Sequence, residues 1–335
     1  MKTSCLNEKI TSAIYGVAVG DALGNPVQFL PREDLQANPL TEMIGGGVFN
    51  KKPGTWTDDT SMTLCLLASL ADRGTLDYED VMENFIDWLC NSAFTPNEKT
   101  FDVGQACFRS IITGRRGVPP LECGRKGEHE NGNGSLMRIA PIVFYLYKEM
   151  GGDAFTKDEA FKVVENVSAL THAHPIALVG CDIYVAMLME LLQGCRKEEL
   201  RDKALPKVLN YVEGHPEYKP ALERYSRIML FAPKDLTELQ TDEINSSGYV
   251  VDTLEAALWS FLTTDSYKEC LLKAVNLAGD ADSIGAVVGG MAGLYYCGDE
   301  ERKIPQEWME KVRGKKLINS LLDKFCATFG SEETV

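Results

Sequence analysis

Two acidic segments stand out for the chemistry that their side chains could perform. Thr57-Asp58-Asp59-Thr60 and Gly279-Asp280-Ala281-Asp282-Ser283 each place two carboxylates and at least one hydroxyl within four or five residues, and each runs into a long apolar stretch. Carboxylate and hydroxyl oxygens are hard ligands, the type that Mg2+ or Mn2+ takes in preference to sulfur or imidazole. Helices as apolar as those that follow belong in the interior, so their polar starts lie at or near the core. Burying so many carboxylates without a cation is very costly. Brought together, the two segments suggest a binuclear site, in which metals roughly 3.5–4 Å apart bind a diol, activate water and stabilise developing charge. The competing reading is helix capping, because Thr and Asp both satisfy free helix N–H groups. A cap explains one of Asp280, Asp282 and Ser283, but hardly all three.

Three further segments carry functional side chains. Asn131-Gly132-Asn133-Gly134-Ser135 precedes residues 136–147, which read as helix. Glycines allow close backbone approach and a helix N-terminus presents N–H groups to an anion, so a phosphate or diphosphate is the natural guest. A plain glycine-rich turn capped by Ser135 is the alternative. Thr171-His172-Ala173-His174-Pro175 uses two of only four histidines; metal ligation and ordinary hydrogen-bonded histidines both fit that pair. Gly20-Asp21-Ala22-Leu23-Gly24, with Gln28 after it, reads as a tight helix contact and turn, with Asp21 as a hydrogen-bond acceptor.

The elements that must hold these groups are helical. Residues 61–70, 81–89, 169–192, 253–262 and 284–296 are apolar at helical spacing or nearly all round. Strand-like alternation is hard to find, and no fixed repeat or low-complexity linker divides the chain. The expectation is one compact all-α domain over residues 1–335. Residues 115–134, basic and then glycine-rich, read as a long functional loop. Residues 197–247, more charged and containing several prolines, read as a solvent-exposed helical excursion.

Composition narrows the function classes. The 335 residues are 44% apolar and 25% charged, ordinary for a globular protein, with 34 basic against 49 acidic residues for a net charge of −15. That balance argues against nucleic acid as the main partner, since phosphate backbones are bound by basic surfaces. The ten cysteines are scattered without a C-x-x-C pair, which points to reduced thiols rather than a zinc or redox motif. The first nine residues have no apolar signal core, and no apolar run approaches the roughly 18 residues of a membrane span. A cytoplasmic protein without a membrane partner is the expectation.

Taken in order, these segments resemble the ADP-ribosylglycohydrolase family, which includes dinitrogenase-reductase-activating glycohydrolase and the arginine- and serine-directed ADP-ribosyl hydrolases. The resemblance is carried by Gly16-Val17-Ala18-Val19-Gly20-Asp21-Ala22-Leu23-Gly24, Trp56-Thr57-Asp58-Asp59-Thr60-Ser61-Met62 and Asn133-Gly134-Ser135-Leu136-Met137-Arg138-Ile139-Ala140-Pro141. It continues in Thr171-His172-Ala173-His174-Pro175 and Gly279-Asp280-Ala281-Asp282-Ser283-Ile284-Gly285-Ala286. Residues 197–247 carry no family motif.

The resemblance implies an orthogonal all-α bundle around two divalent cations, Mg2+ or Mn2+. It implies Thr57, Asp58, Asp59, Asp280, Asp282 and Ser283 as metal ligands, with Ser283 standing where the family more often has Thr. Phe101-Asp102-Val103-Gly104 matches a segment whose aspartate faces the substrate ribose. Asn133, Gly134 and Ser135 would hold a diphosphate, and His174 would border the nucleotide side. Pro26-Val27-Gln28-Phe29 departs from the family, which commonly has glutamate where Gln28 stands. An amide cannot ionise or act as a general base, so the resemblance leaves that work to Asp102 or to a metal-bound water, or else implies an unusual substrate; Asp58, Asp59 and Asp102 are the candidates for orienting the water. The implied activity is hydrolysis of the glycosidic bond between ADP-ribose and an acceptor, preferentially an arginine side chain of a modified protein. The alternatives are hydrolysis of free ADP-ribose derivatives or other nucleoside-type glycosides, and a non-catalytic ADP-ribose-binding module.

Overall fold

The computed structural model describes residues 5–96 and 99–330, so the termini and residues 97–98 of the expected 1–335 domain lie outside the described residues. Among the described residues, fifteen α-helices carry the architecture. In chain order they begin with α1 (Leu6–Gly24), α2 (Arg32–Ala37), α3 (Asp58–Arg73), α4 (Tyr78–Asn91) and α5 (Gln105–Arg115). Next come α6 (Ile142–Met150), α7 (Asp158–Ala169), α8 (Pro175–Leu192), α9 (Leu200–Gly214) and α10 (Lys219–Leu222). The last five are α11 (Val250–Leu262), α12 (Tyr267–Val275), α13 (Ala281–Tyr295), α14 (Gln306–Lys311) and α15 (Lys315–Phe329). Only isolated β-bridges occur among the described residues, and the buried apolar side chains form one continuous cluster. The all-α class read from the periodicity is the one observed.

The centre is built by two helices that approach closely because their facing residues are small. A Cβ on Gly20 of α1 would stand 1.9 Å from the carbonyl oxygen of Gly285 on α13, and one on Gly289 would stand 2.2 Å from that of Gly16. Only glycine permits that crossing. It seats Asp21, in the last turn of α1, beside the start of α13, where Asp280 and Asp282 lie. Helix α3 packs against both and brings Asp58 and Asp59 to the same place.

The helix expected at 136–147 is broken: a single 3-10 turn over Leu136–Arg138 precedes α6, which starts only after Pro141. Proline has no N–H to give to a continuing helix, so the chain restarts there. The stretch 169–192 is likewise interrupted: α7 ends at Ala169 and α8 begins only at Pro175, with His174 as its cap. Residues 197–247 are not merely an exposed excursion, because α9 buries Leu200, Ala204, Leu205 and Val208 and packs on α8. Contrary to the reading that no run is long enough, α8 is long and apolar enough to cross a membrane; 89% of it is buried in the bundle, as in a core helix.

Candidate active site

The acidic segment at the start of α3 is freed from capping by another helix. Asp21, wholly buried on α1, accepts from the Thr57 N–H at 2.9 Å, the Thr60 N–H at 3.0 Å and the Thr60 hydroxyl at 2.6 Å. It therefore supplies the cap of α3 from outside the helix, the task that Thr57, Asp58 or Asp59 was alternatively expected to perform. The Thr57 hydroxyl instead donates to Asp59 Oδ2 at 3.0 Å. At the other segment Asp280 occupies the cap position of α13, but its side chain accepts no helix N–H. Its Oδ2 receives the Asn133 amide at 2.5 Å, while that amide also donates to the Thr253 hydroxyl at 2.9 Å.

The two segments meet. Oxygens of Asp21, Asp59 and Asp282 lie within 4.8 Å of one another. Asp58, Asp102, Asp280, Asp282 and Ser283 line one cavity of about 230 Å³, together with Gln28. Burial raises Asp58, Asp59 and Asp282 well above the ordinary carboxylate range, and the neighbouring carboxylates raise them further. Asp280 and Asp102 are raised by burial and partly relieved by the Asn133 and Gln28 amides. Asp21 is pushed up to about 7 by burial, against its hydrogen bonds from Thr60 and Thr57.

A divalent cation fits this donor set. Asp59 Oδ1 and Asp282 Oδ1 are buried oxygens without a hydrogen-bond partner, an arrangement that is unfavourable unless a cation engages them. Asp21 is a poorer ligand than its place in that trio suggests, because backbone and hydroxyl donors already engage both of its oxygens.

Gln28, 1% exposed, donates through Nε2 to Asp102 Oδ2 at 2.9 Å, and its Oε1 is buried without a partner. The pairing is one that two carboxylates could make only by sharing a proton. Asp102 and Phe29 both have left-handed backbone, at φ 55° and 62°. Such strain in ordinary residues gathers at functional sites. Phe29 stands 59% exposed at the cavity edge.

The glycine-rich loop links this cavity to a larger one. Asn133 N–H donates to the Gly248 carbonyl and Val250 N–H to the Asn131 carbonyl, which clamps loop 131–135 against the start of α11. Gly132 and Gly248 border both the acidic cavity and an adjoining groove of about 910 Å³, whose walls include His174, Ile176, Arg224 and Tyr249. Of the residues expected to bind substrate, Gln28, Asn133 and Gly134 face the acidic cavity and His174 faces the groove. Ser135 points its side chain inward, accepting from the Ser168 hydroxyl at 2.8 Å and touching Cys181. Only its backbone is available to a ligand.

Sequence reasoning left His172 open between roles, and it lines the acidic cavity. Burial, and next the charge of Arg138, press its pKa down to about 3, so it is a neutral imidazole. Its neighbour His174 is given a role by the family resemblance alone. Tyr249 and Arg224 lie in or beside a segment without any motif, and no signal in the chain would have found them.

Residues 2–334 match the family model described as ADP-ribosylglycohydrolase. The chain is 32% identical over 317 residues to an ADP-ribosylarginine hydrolase of Serratia proteamaculans, covering 95% of this chain and 78% of that protein. It is also 32% identical to the ADP-ribosyl-[dinitrogen reductase] glycohydrolase of Rhodospirillum rubrum, covering 92% and 91% of the two chains. A solved structure described as an ADP-ribosylglycohydrolase-related protein complex superposes with a TM-score of 0.75 at 30% identity, covering 96% and 98%.

Proposed function

The chain belongs to the ADP-ribosylglycohydrolase family, and from that premise we propose that it hydrolyses the glycosidic bond joining ADP-ribose to an arginine side chain. The observation that carries this reading is the junction of two cavities: a carboxylate-rich chamber opening past loop 131–135 into a groove large enough for a nucleoside. A ligand with a diol at one end, a diphosphate in the middle and a base at the other end matches that sequence of surfaces. The relatives named for ADP-ribosylarginine and for ADP-ribosyl-dinitrogen reductase support the substrate class.

Thr57, Asp58, Asp59, Asp280, Asp282 and Ser283 are the residues that would hold two divalent cations, Mg2+ or Mn2+. Such ions, when bound, offset the carboxylate charge and stabilise charge that develops on ribose oxygens. The chain's own groups do the rest. Asn133 fixes Asp280, Asp21 fixes the start of α3, and Gln28 fixes Asp102 beside the ribose. As the bond from the anomeric carbon to nitrogen breaks, the sugar gains positive charge, which Asp58, Asp59 and Asp102 stabilise electrostatically. The departing guanidine carries away the bonding electron pair and leaves uncharged. Water then gives its hydroxyl to the anomeric carbon and its proton to the guanidine, so no acidic side chain is required at Gln28. A cytoplasmic setting suits the ten cysteines, which form no disulfide among the described residues.

The test is incubation of the purified protein, with Mn2+ or Mg2+, with peptides carrying ADP-ribosyl-arginine or ADP-ribosyl-serine. Release of ADP-ribose from the arginine peptide, abolished by Asp280→Ala, is the expected result. Turnover of free ADP-ribose derivatives alone would replace this reading by a small-molecule hydrolase. Tight ADP-ribose binding without turnover would replace it by a binding module.

A further inference from the structure

Arg138 is 0% exposed, and no salt bridge among the described residues includes it. The groups acting on it are the thiols of Cys107, Cys181 and Cys65 and, more weakly, Asp58. Burial holds those thiols protonated, Cys107 and Cys181 at about 11 and Cys65 well above its ordinary value, so they give no counter-charge. A guanidinium without an ionised partner is among the least favourable groups to bury. Its own contacts soften the penalty only in part. One terminal nitrogen donates to the Gly134 carbonyl, the other to the Val167 carbonyl at 3.2 Å, and the Phe85 ring lies 5.0 Å away. Its Nε has no partner.

The bond to Gly134 has a directional consequence. In a planar trans peptide the C=O and the following N–H point opposite ways. With the Gly134 carbonyl turned toward Arg138, the Ser135 N–H is turned away from it, and Gly134 itself lines the acidic cavity. Neither the Gly134 N–H nor the Ser135 N–H meets an acceptor among the described residues. Successive unengaged amides over a fixed positive charge make an anion-binding concavity. We propose that Arg138 is the positioning residue of this loop: it holds the Gly134–Ser135 peptide with its N–H toward the diphosphate and lends the loop a permanent positive charge. The proposal rests on ADP-ribose being the ligand.

Calorimetric titration of the wild type, Arg138→Met and Arg138→Lys with ADP-ribose, with adenosine and with Mn2+ tests it. Adenosine lacks the diphosphate, and Mn2+ reports on the carboxylates alone. Loss of a charged donor and of the peptide orientation is expected to weaken ADP-ribose by about 30-fold in Arg138→Met. Lysine keeps the charge but cannot span both carbonyls, so Arg138→Lys is expected to lose about 5-fold. Adenosine and Mn2+ affinities stay at the wild-type values in both. Equal losses for ADP-ribose and adenosine would reduce Arg138 to a packing residue and overturn the proposal, as would undiminished ADP-ribose affinity. If the methionine variant does not fold, the lysine variant decides by the same comparison. A wild type that binds Mn2+ but neither ADP-ribose nor adenosine would instead refute the functional reading on which the proposal stands.

Discussion

Replacing Asp282 by asparagine should make the metal-free protein more stable and the metal-treated protein less stable than the wild type. Asp282 is buried at the start of α13, within 4.8 Å of oxygens of Asp21 and Asp59, and its Oδ1 has no hydrogen-bond partner. Two unit charges at that distance repel by about 3.5 kcal/mol at an effective dielectric of ~20. The metal-free protein escapes part of this by holding protons, so the expected gain from Asp282→Asn is about 2 kcal/mol, a rise in Tm of about 3 °C for a chain of this length. Saturating cation reverses the order. At one hundred times its Kd a single bound ion stabilises the folded wild type by about 2.7 kcal/mol, and the variant, lacking a ligand, forfeits that gain. Thermal unfolding of both proteins, in EDTA and across a Mn2+ titration, should therefore give curves that cross. A variant that melts below the wild type in EDTA, or that keeps the full Mn2+ response, would refute the claim that Asp282 is a destabilising charge retained for a cation.

Four other outcomes follow from the same geometry. Gly20→Ala forces a methyl group to within 1.9 Å of the Gly285 carbonyl, so it should cost about 3 kcal/mol in denaturant unfolding and weaken Mn2+ binding by spreading α1 from α13. Gln28→Leu removes the donor that holds Asp102; kcat/KM on ADP-ribosyl-arginine should fall about 10-fold with the Tm nearly unchanged. Asp182, buried on α8 and not among the residues lining the acidic cavity, has its pKa raised well above the ordinary range by burial and by Glu165. The folded protein then holds a proton that the unfolded chain releases near pH 4, so stability is fullest at low pH and declines as pH rises toward the folded pKa. Asp182→Asn should flatten that decline, matching the wild type at pH 4 and exceeding it at pH 8; an unchanged slope would exclude Asp182 as its source. His172, held neutral with a pKa of about 3, should show imidazole nitrogen shifts that do not titrate between pH 5 and 8.

What was legible in the chain, and what was not, divides along physical lines. The two carboxylate segments announced themselves because acids at the head of an apolar helix are hard to explain by solvation, and the helical period behind them is long and clean. The proline-marked boundaries were also in the letters: Pro141 and Pro175 both begin helices that the apolar pattern alone had run together with what precedes them. The supporting residues were hidden because their roles depend on contacts distant in sequence. Asp21 caps a helix that starts 37 residues later, and Arg138 sits in a motif whose sequence gives no hint that its charge is buried. The groove side chains Arg224 and Tyr249 come from, and from just beyond, the stretch with the weakest periodicity, beside α10 and α11, which pack against α8.

The central claim is that the carboxylate segments at 57–59 and 280–283 are the two halves of one divalent-metal site. It is tested most directly by crystals grown with Mn2+ and measured at a wavelength where manganese scatters anomalously. Two anomalous peaks are expected in the acidic cavity, with Asp58, Asp59, Asp280 and Asp282 oxygens in contact with them and none left by Asp280→Ala. A fully occupied cavity of water with no anomalous density at saturating Mn2+, or peaks held by one segment alone, would contradict it.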